Sequence, residues 1–162
     1  MSAEVIKAGS AIAISFTLNR KSISAIVKAE TTLSTLLRDA QTLTGVKIGC
    51  ASGVCGSCTA LISGKPVTTC TTFAYQADGK DITTVEGLGQ DGEPSIVQQA
   101  FMNKSAFQCG YCTPGMILLA TALLNENPKP TRTEVISWIS ANICRCTGYT
   151  LIIDAVMEAS GQ

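Results

Sequence analysis

The sequence predicts an α+β protein: a small mixed sheet clasping one short helix, followed by a unit of four helices. Two observations carry this. Apolar residues near the N-terminus recur with a period of two, while those beyond about residue 94 recur with a helical period. Between the two regimes lies a glycine-rich stretch, residues 86–92, with Gly87, Gly89 and Gly92.

Residues 11–19 place Ile12, Ile14, Phe16 and Leu18 in alternation with small or polar residues, the pattern of a half-buried strand. Asn19-Arg20-Lys21 is expected to turn the chain into a second strand with Ile23, Ala25 and Val27 on one face. Leu33, Leu36, Leu37 and Ala40 then fall at helical spacing, with Thr31 or Thr32 as the cap. Thr59 to Ser63 reads as a strand, Gly64-Lys65-Pro66 as a turn, Val67 to Cys70 as the return, and Asp81 to Val85 as a last short strand. In the second unit, Pro94 opens a helix carrying Ile96, Val97, Ala100 and Phe101. Thr113-Pro114 reads as a cap followed by the first helical position, and that helix should stop before Pro128. Thr131 and Glu134 form a capping-box pattern before Val135, Trp138, Ile139 and Ile143, a helix expected to end at Cys144. Ile152, Ile153, Val156 and Met157 mark the fourth helix. The expected boundaries are a loose arm over 1–10, a sheet unit over 11–86 and a helical unit over 93–162.

Composition narrows the chemistry. Twelve basic residues balance 12 acidic ones, so no electrostatic footprint for nucleic acid or an anionic membrane is present. No apolar run reaches the roughly 18 residues of a membrane span. The start, from Met1 to Lys7, lacks the basic and apolar regions of an export signal, which predicts a cytoplasmic protein. Eight cysteines and no histidine remain. Four disulfides are disfavoured in a reducing compartment. The absence of histidine removes the commonest general base and every mixed cysteine–histidine metal site. Thiolate ligation of zinc, copper(I) or an iron–sulfur cluster is what the donor set allows.

Cys50, Cys55 and Cys58, with Cys70 eleven residues further on, follow the spacing of plant-type [2Fe–2S] ferredoxins. Three thiolates from one short segment must wrap a compact cluster, and Gly49, Gly53 and Gly56 permit the close backbone approach this needs. A zinc knuckle accounts for Cys55 and Cys58 but leaves Cys50 unexplained. Cys109, Cys112, Cys144 and Cys146 form a second set, less specific on spacing alone because such pairs also hold zinc. Placement strengthens it: Cys112 immediately precedes a helix N-terminus, where free N–H groups favour a negatively charged cluster.

Together these segments resemble the small iron–sulfur subunit of the molybdenum hydroxylase family, the relatives of xanthine oxidase and aldehyde oxidoreductase. The resemblance rests on Leu36-Leu37-Arg38-Asp39, Thr44-Gly45, Lys47, Gly49-Cys50, Cys55-Gly56, Cys58-Thr59 and Gly64-Lys65-Pro66-Val67. In the second half it rests on the run from Gln108 to Met116 and on Asn142 with the run from Cys144 to Tyr149. One departure is Ala51, where many relatives have glycine after the first cysteine. The resemblance implies a β-grasp, plant-type ferredoxin-like domain followed by a four-helix-bundle [2Fe–2S] domain. It implies that Cys109, Cys112, Cys144 and Cys146 hold the cluster proximal to a molybdopterin on a large partner subunit. Gln108 and Cys146 match positions that hydrogen-bond the pterin. Cys50, Cys55, Cys58 and Cys70 then hold the distal cluster, facing an FAD-binding medium subunit or another acceptor. Molybdopterin and FAD are expected on separate polypeptides, as in the heterotrimeric bacterial enzymes, with an aldehyde or N-heteroaromatic compound as substrate. The chain itself carries no catalytic residue. The alternative reading is a free two-cluster ferredoxin shuttle, disfavoured because a shuttle needs a charged docking face. Tyr111 and Tyr149 are expected at a partner interface beside the second cysteine set.

Overall fold

The computed structural model describes residues 7–162. Of the expected N-terminal arm, residues 1–6 lie outside the described residues. Lys7 to Ser10 form a turn tied to the sheet: the Gly9 N–H donates to the Glu30 carboxylate and the Ala29 N–H to the Ser10 carbonyl, both at 3.1 Å.

Strand β1, Ala11–Leu18, buries Ile14, Phe16 and Leu18, as its alternation predicts. It pairs antiparallel with β2, Lys21–Lys28, across a two-residue turn in which Asn19 and Arg20 both adopt positive φ, the geometry that matches strand twist. The sheet is completed by β3, Thr59–Ile62, β4, Lys65–Thr68, and β5, Asp81–Thr83, in the order β2-β1-β5-β3-β4. The β1–β5 pair is parallel and the others antiparallel. Two expectations shift here. The β3–β4 turn is Ser63-Gly64, and Lys65-Pro66 already belong to the returning strand, which ends at Thr68. Pro66 is tolerated because β4 is an edge strand. Asp81 to Val85 pairs only as far as Thr83, and Val85–Gly87 forms a 3-10 turn.

The helix clasped by the sheet begins as α1, Leu33–Thr35, capped by the Thr32 hydroxyl, which accepts from the Thr35 N–H at 3.2 Å. It widens into a π-helical stretch, Leu36–Ala40, closed by the Gln41 N–H on the Leu36 carbonyl. Leu33, Leu36 and Leu37 join Phe16, Val27, Val46 and Ile82 in the first core.

The second unit contains α2, Ile96–Asn103, α3, Thr113–Glu126, α4, Arg132–Ile139, and α5, Thr150–Ala159. Pro94 stands before the cap of α2 instead of in its first turn; Ser95 is the cap, in a reciprocal capping box with Gln98. Ile96 points to solvent, while Val97, Ala100 and Phe101 face the core. The cap of α3 is Cys112, one residue earlier than expected, with Pro114 in the first turn. Its C-terminus precedes Pro128, as expected. The Thr131–Glu134 capping box forms at the start of α4. That helix ends at Ile139, so Ile143 and Cys144 lie in the loop after it, and Ile143 is exposed.

Helix α3 is buried on almost every side, from Met116 to Leu123, because it serves two cores. One side packs with α2, α4 and α5 in the helical core; the other sets Leu118 and Ala122 against Leu61 of β3. The glycine-rich segment between the units is pinned to the sheet. The Arg20 guanidinium donates to the Gly87 and Gly89 carbonyls at 2.8 and 3.2 Å, and the Gly45 N–H donates to the Glu86 carboxylate at 2.7 Å. Among the described residues, no helix is long and apolar enough to cross a membrane.

Candidate metal centres

All eight cysteines are free thiols, and they gather as two quartets. The first quartet lies on the loop between the π-helical stretch and β3, joined by Cys70 just after β4. The Cys50 sulfur accepts from the backbone N–H groups of Ser52 and Cys55, each at 3.4 Å. Those bonds, with the Ser52 contact foremost, lower the Cys50 thiol to about 5. Cys58 and Cys70 touch through their sulfurs, and burial, then the neighbouring Cys58, pushes Cys70 up to about 11. The loop reverses through left-handed residues at Ala51, with φ +55°, and at Gly53 and Gly56.

The second quartet sits between the α3 N-terminus and the loop joining α4 to α5. The Cys109 and Cys146 sulfurs lie 3.6 Å apart, and this contact raises the Cys146 thiol. Cys112 and Cys144 form the other touching pair. Burial pushes Cys112 up to about 12. Burial also pushes Cys144 up, but hydrogen bonds led by the Thr147 hydroxyl outweigh it and the net displacement is downward. The Thr147 Oγ1 lies 3.1 Å from the Cys144 sulfur and accepts the Tyr149 N–H at 3.2 Å.

The pairing is the feature that tests what these thiols fit. Among the described residues, no three cysteine or carboxylate side chains ring a single point. The sulfurs come together in twos, Cys50 with Cys55, Cys58 with Cys70, Cys109 with Cys146 and Cys112 with Cys144. Two pairs per quartet is the donor arrangement of a [2Fe–2S] rhomb, in which each iron takes two thiolates. Like-charged thiolates this close also demand positive charge between them.

The quartets meet at their inner edges. The Ile143 N–H donates to the Cys55 carbonyl at 2.9 Å, and Ile143 is bonded directly to Cys144. The Tyr111 hydroxyl donates to the Ile48 carbonyl at 2.8 Å, tying the second cysteine loop to the first. Outward, Cys50, Cys109 and Cys146 are exposed, while Cys58 and Cys144 are buried. Gln108 is exposed beside Cys109. Of the two tyrosines expected at a partner face, Tyr111 keeps an exposed ring. Tyr149 is committed within the chain, its hydroxyl accepting the Cys144 N–H at 2.9 Å and facing the Asn142 carbonyl at 3.4 Å.

Two residues beside the cysteine loops carry roles that spacing did not assign. Thr147 is the residue after Cys146, and its hydroxyl reaches back to Cys144. Asn142 is only 3% exposed although polar, wedged between the two loops. Both stand inside the motif around Cys144 and Cys146, which was their only signal in the sequence.

Donor chemistry and sulfur pairing define the class: a two-domain iron–sulfur electron carrier with two separate [2Fe–2S] sites. Residues 13–97 match the family described as a 2Fe-2S iron-sulfur cluster binding domain, and residues 84–157 match the [2Fe-2S] binding domain family. The nicotinate dehydrogenase small FeS subunit of Eubacterium barkeri is 50% identical over 148 residues, covering 91% of this chain and 94% of the relative. Quinoline 2-oxidoreductase of Pseudomonas putida 86 contains a chain that superimposes with a TM-score of 0.89 at 47% identity, covering 93% of each. The aldehyde oxidoreductase of Megalodesulfovibrio gigas is 44% identical over 147 residues, which are 89% of this chain but 16% of that longer protein. The chain belongs to the family of small iron–sulfur subunits of the molybdenum hydroxylases.

Proposed function

We propose that this chain is the electron-transfer subunit of a heterotrimeric, cytoplasmic molybdenum hydroxylase that oxidises an N-heteroaromatic compound or an aldehyde. Its sheet unit, residues 11–86, holds the distal [2Fe–2S] cluster on Cys50, Cys55, Cys58 and Cys70. Its helical unit, residues 93–162, holds the proximal one on Cys109, Cys112, Cys144 and Cys146. When bound, each cluster takes up and releases one electron at a time, so a two-electron site on a partner discharges in single steps. The partners in this reading are a large molybdopterin subunit on the Cys109–Cys146 side and a medium FAD subunit on the Cys50 side. Gln108 and Cys146 contact the pterin.

The observation that carries the reading is that each quartet has an exposed thiol while the two quartets meet inside the chain. Cys109 and Cys146 are exposed in one quartet and Cys50 in the other, and between the quartets the Cys55 carbonyl accepts from the Ile143 N–H. Such a conduit has two doors joined by an internal crossing. The named activities of relatives, on nicotinate and quinoline, support the N-heteroaromatic class.

The test is made on the purified complex. Iron is expected at roughly four atoms per chain, two for each [2Fe–2S] site, with two distinguishable EPR signals on reduction. Cys55→Ser replaces a soft ligand with a harder oxygen. That variant should still accept substrate electrons at the proximal site in one turnover while steady turnover collapses. Cys112→Ser should block substrate electrons from the distal site. A Cys112→Ser complex that reduces the distal site at the normal rate refutes the order.

A further inference from the structure

We propose that Asn142 is a positioning residue that fixes the separation of the two iron–sulfur sites, and so sets the rate of electron passage between them. The inference rests on Cys55 and Cys144 being ligands of different clusters.

Asn142 is fastened to the helical unit by its backbone and to the sheet unit by its side chain. Its N–H donates to the Ile139 carbonyl at 3.1 Å, closing the end of α4, and its carbonyl faces the Tyr149 hydroxyl at 3.4 Å. The side-chain amide reaches across the junction, where the Thr59 hydroxyl lies 3.5 Å from both Oδ1 and Nδ2. That hydroxyl is itself held by donating to the Gly56 carbonyl at 2.7 Å. The amide fills the space in front of two glycines. A Cβ on Gly56 would stand 1.5 Å from the Asn142 Oδ1, and one on Gly115 would stand 3.2 Å from its Nδ2 and 2.5 Å from the Gly56 carbonyl oxygen. Gly56 also needs its freedom for a φ of +69°. Three segments thus close on one side chain: the Cys55–Cys58 loop, the first turn of α3 that follows Cys112, and the loop that leads into Cys144.

The next residue makes the crossing. The Ile143 N–H donates to the Cys55 carbonyl, so the bonded route from Cys55 to Cys144 passes through one hydrogen bond. The Ile143 side chain is apolar and 47% exposed, so it does not hold that bond closed. Asn142 is the neighbour with contacts on both sides, and a close-packed interior leaves its segment little room to drift. Tunnelling through such a route falls exponentially as the gap opens, so a small loosening has a large effect on rate and little on either potential.

The experiment uses the assembled holo complex carrying Asn142→Ala, Thr59→Val or both. Iron content and the midpoint potential of each EPR signal are measured first. Freeze-quenched substrate mixing then times proximal and distal reduction separately, and pulsed EPR measures the magnetic interaction between the two reduced sites. Asn142→Ala is expected to keep its iron, both potentials and the proximal rate, to weaken the magnetic interaction, and to slow distal reduction by an order of magnitude. Thr59→Val should act in the same direction by removing the hydroxyl that faces the amide, and the two changes should be less than additive because they act on one contact. Unchanged distal kinetics and magnetic interaction in an iron-replete Asn142→Ala complex overturn the proposal. Loss of one cluster in both single variants also overturns it, since Asn142 would then build a site and not space two. Parent complex with a single EPR signal instead refutes the ligand assignment beneath it.

Discussion

Replacing Thr147 with valine removes one hydroxyl and almost no volume, and the geometry allows its effect to be worked out. The Thr147 oxygen accepts the Tyr149 N–H at 3.2 Å and lies 3.1 Å from the Cys144 sulfur, which as a thiolate ligand has no proton and so accepts from the hydroxyl. Cys144 is 8% exposed, so water has little access to replace that donor. A hydrogen bond to a charged acceptor contributes about 1.5–3 kcal/mol. Only the part that changes with oxidation state moves the potential. If about a quarter of the added electron reaches each of the four ligand sulfurs, the differential is about 0.4–0.8 kcal/mol, or about 15–35 mV at 59 mV per tenfold for one electron. The sign is fixed: the hydroxyl favours the more negative, reduced state, so Thr147→Val lowers the proximal potential. Redox titration of the two EPR signals in the complex reads the shift, and Thr147→Ser, which keeps the donor, should restore it. A valine variant whose proximal signal stays put or moves upward, or whose distal signal moves instead, refutes the reasoning.

Two further outcomes follow from local geometry. Ala51 holds a φ of +55°, a conformation that costs a residue with a Cβ about 1–2 kcal/mol; Ala51→Gly relieves it. Glycine's greater freedom in the unfolded chain takes back about 0.5–1 kcal/mol, leaving a gain on the order of 0.5–1 kcal/mol. The denaturant midpoint for loss of cluster absorbance should therefore rise, and a fall would refute the strain. At the start of α4, the Thr131 hydroxyl and then its N–H hold the Glu134 carboxyl below the usual carboxylate range. A depressed folded pKa stabilises above the unfolded value and is lost as pH falls through the folded one. Amide exchange over Glu134 and Val135 should accelerate on that acid limb, and Glu134→Gln should flatten it; an exchange rate that follows chemistry alone would refute the cap.

What the sequence determined by itself is what depends on neighbours along the chain. The Thr131–Glu134 box, the alternation of Ile14, Phe16 and Leu18, the Asn19-Arg20 hairpin turn and the stop before Pro128 are local, because hydrogen bonds and periodicity act within a few residues. The grouping of Cys50, Cys55 and Cys58 was legible for the same reason, since one short loop brings three thiols together. Cap positions slipped by one or two residues at Pro94 and Thr113, where several adjacent residues satisfy the same backbone groups. Tertiary structure alone decided the rest. It pairs Cys109 with Cys146 and Cys112 with Cys144 across the bundle, places Pro66 on an edge strand, and turns Tyr149 inward while Tyr111 reaches Ile48. It also brings Asn142 against Gly56, 86 positions earlier in the chain. Such contacts depend on how α3 sits against β3, and no periodicity in either segment encodes where the other will lie.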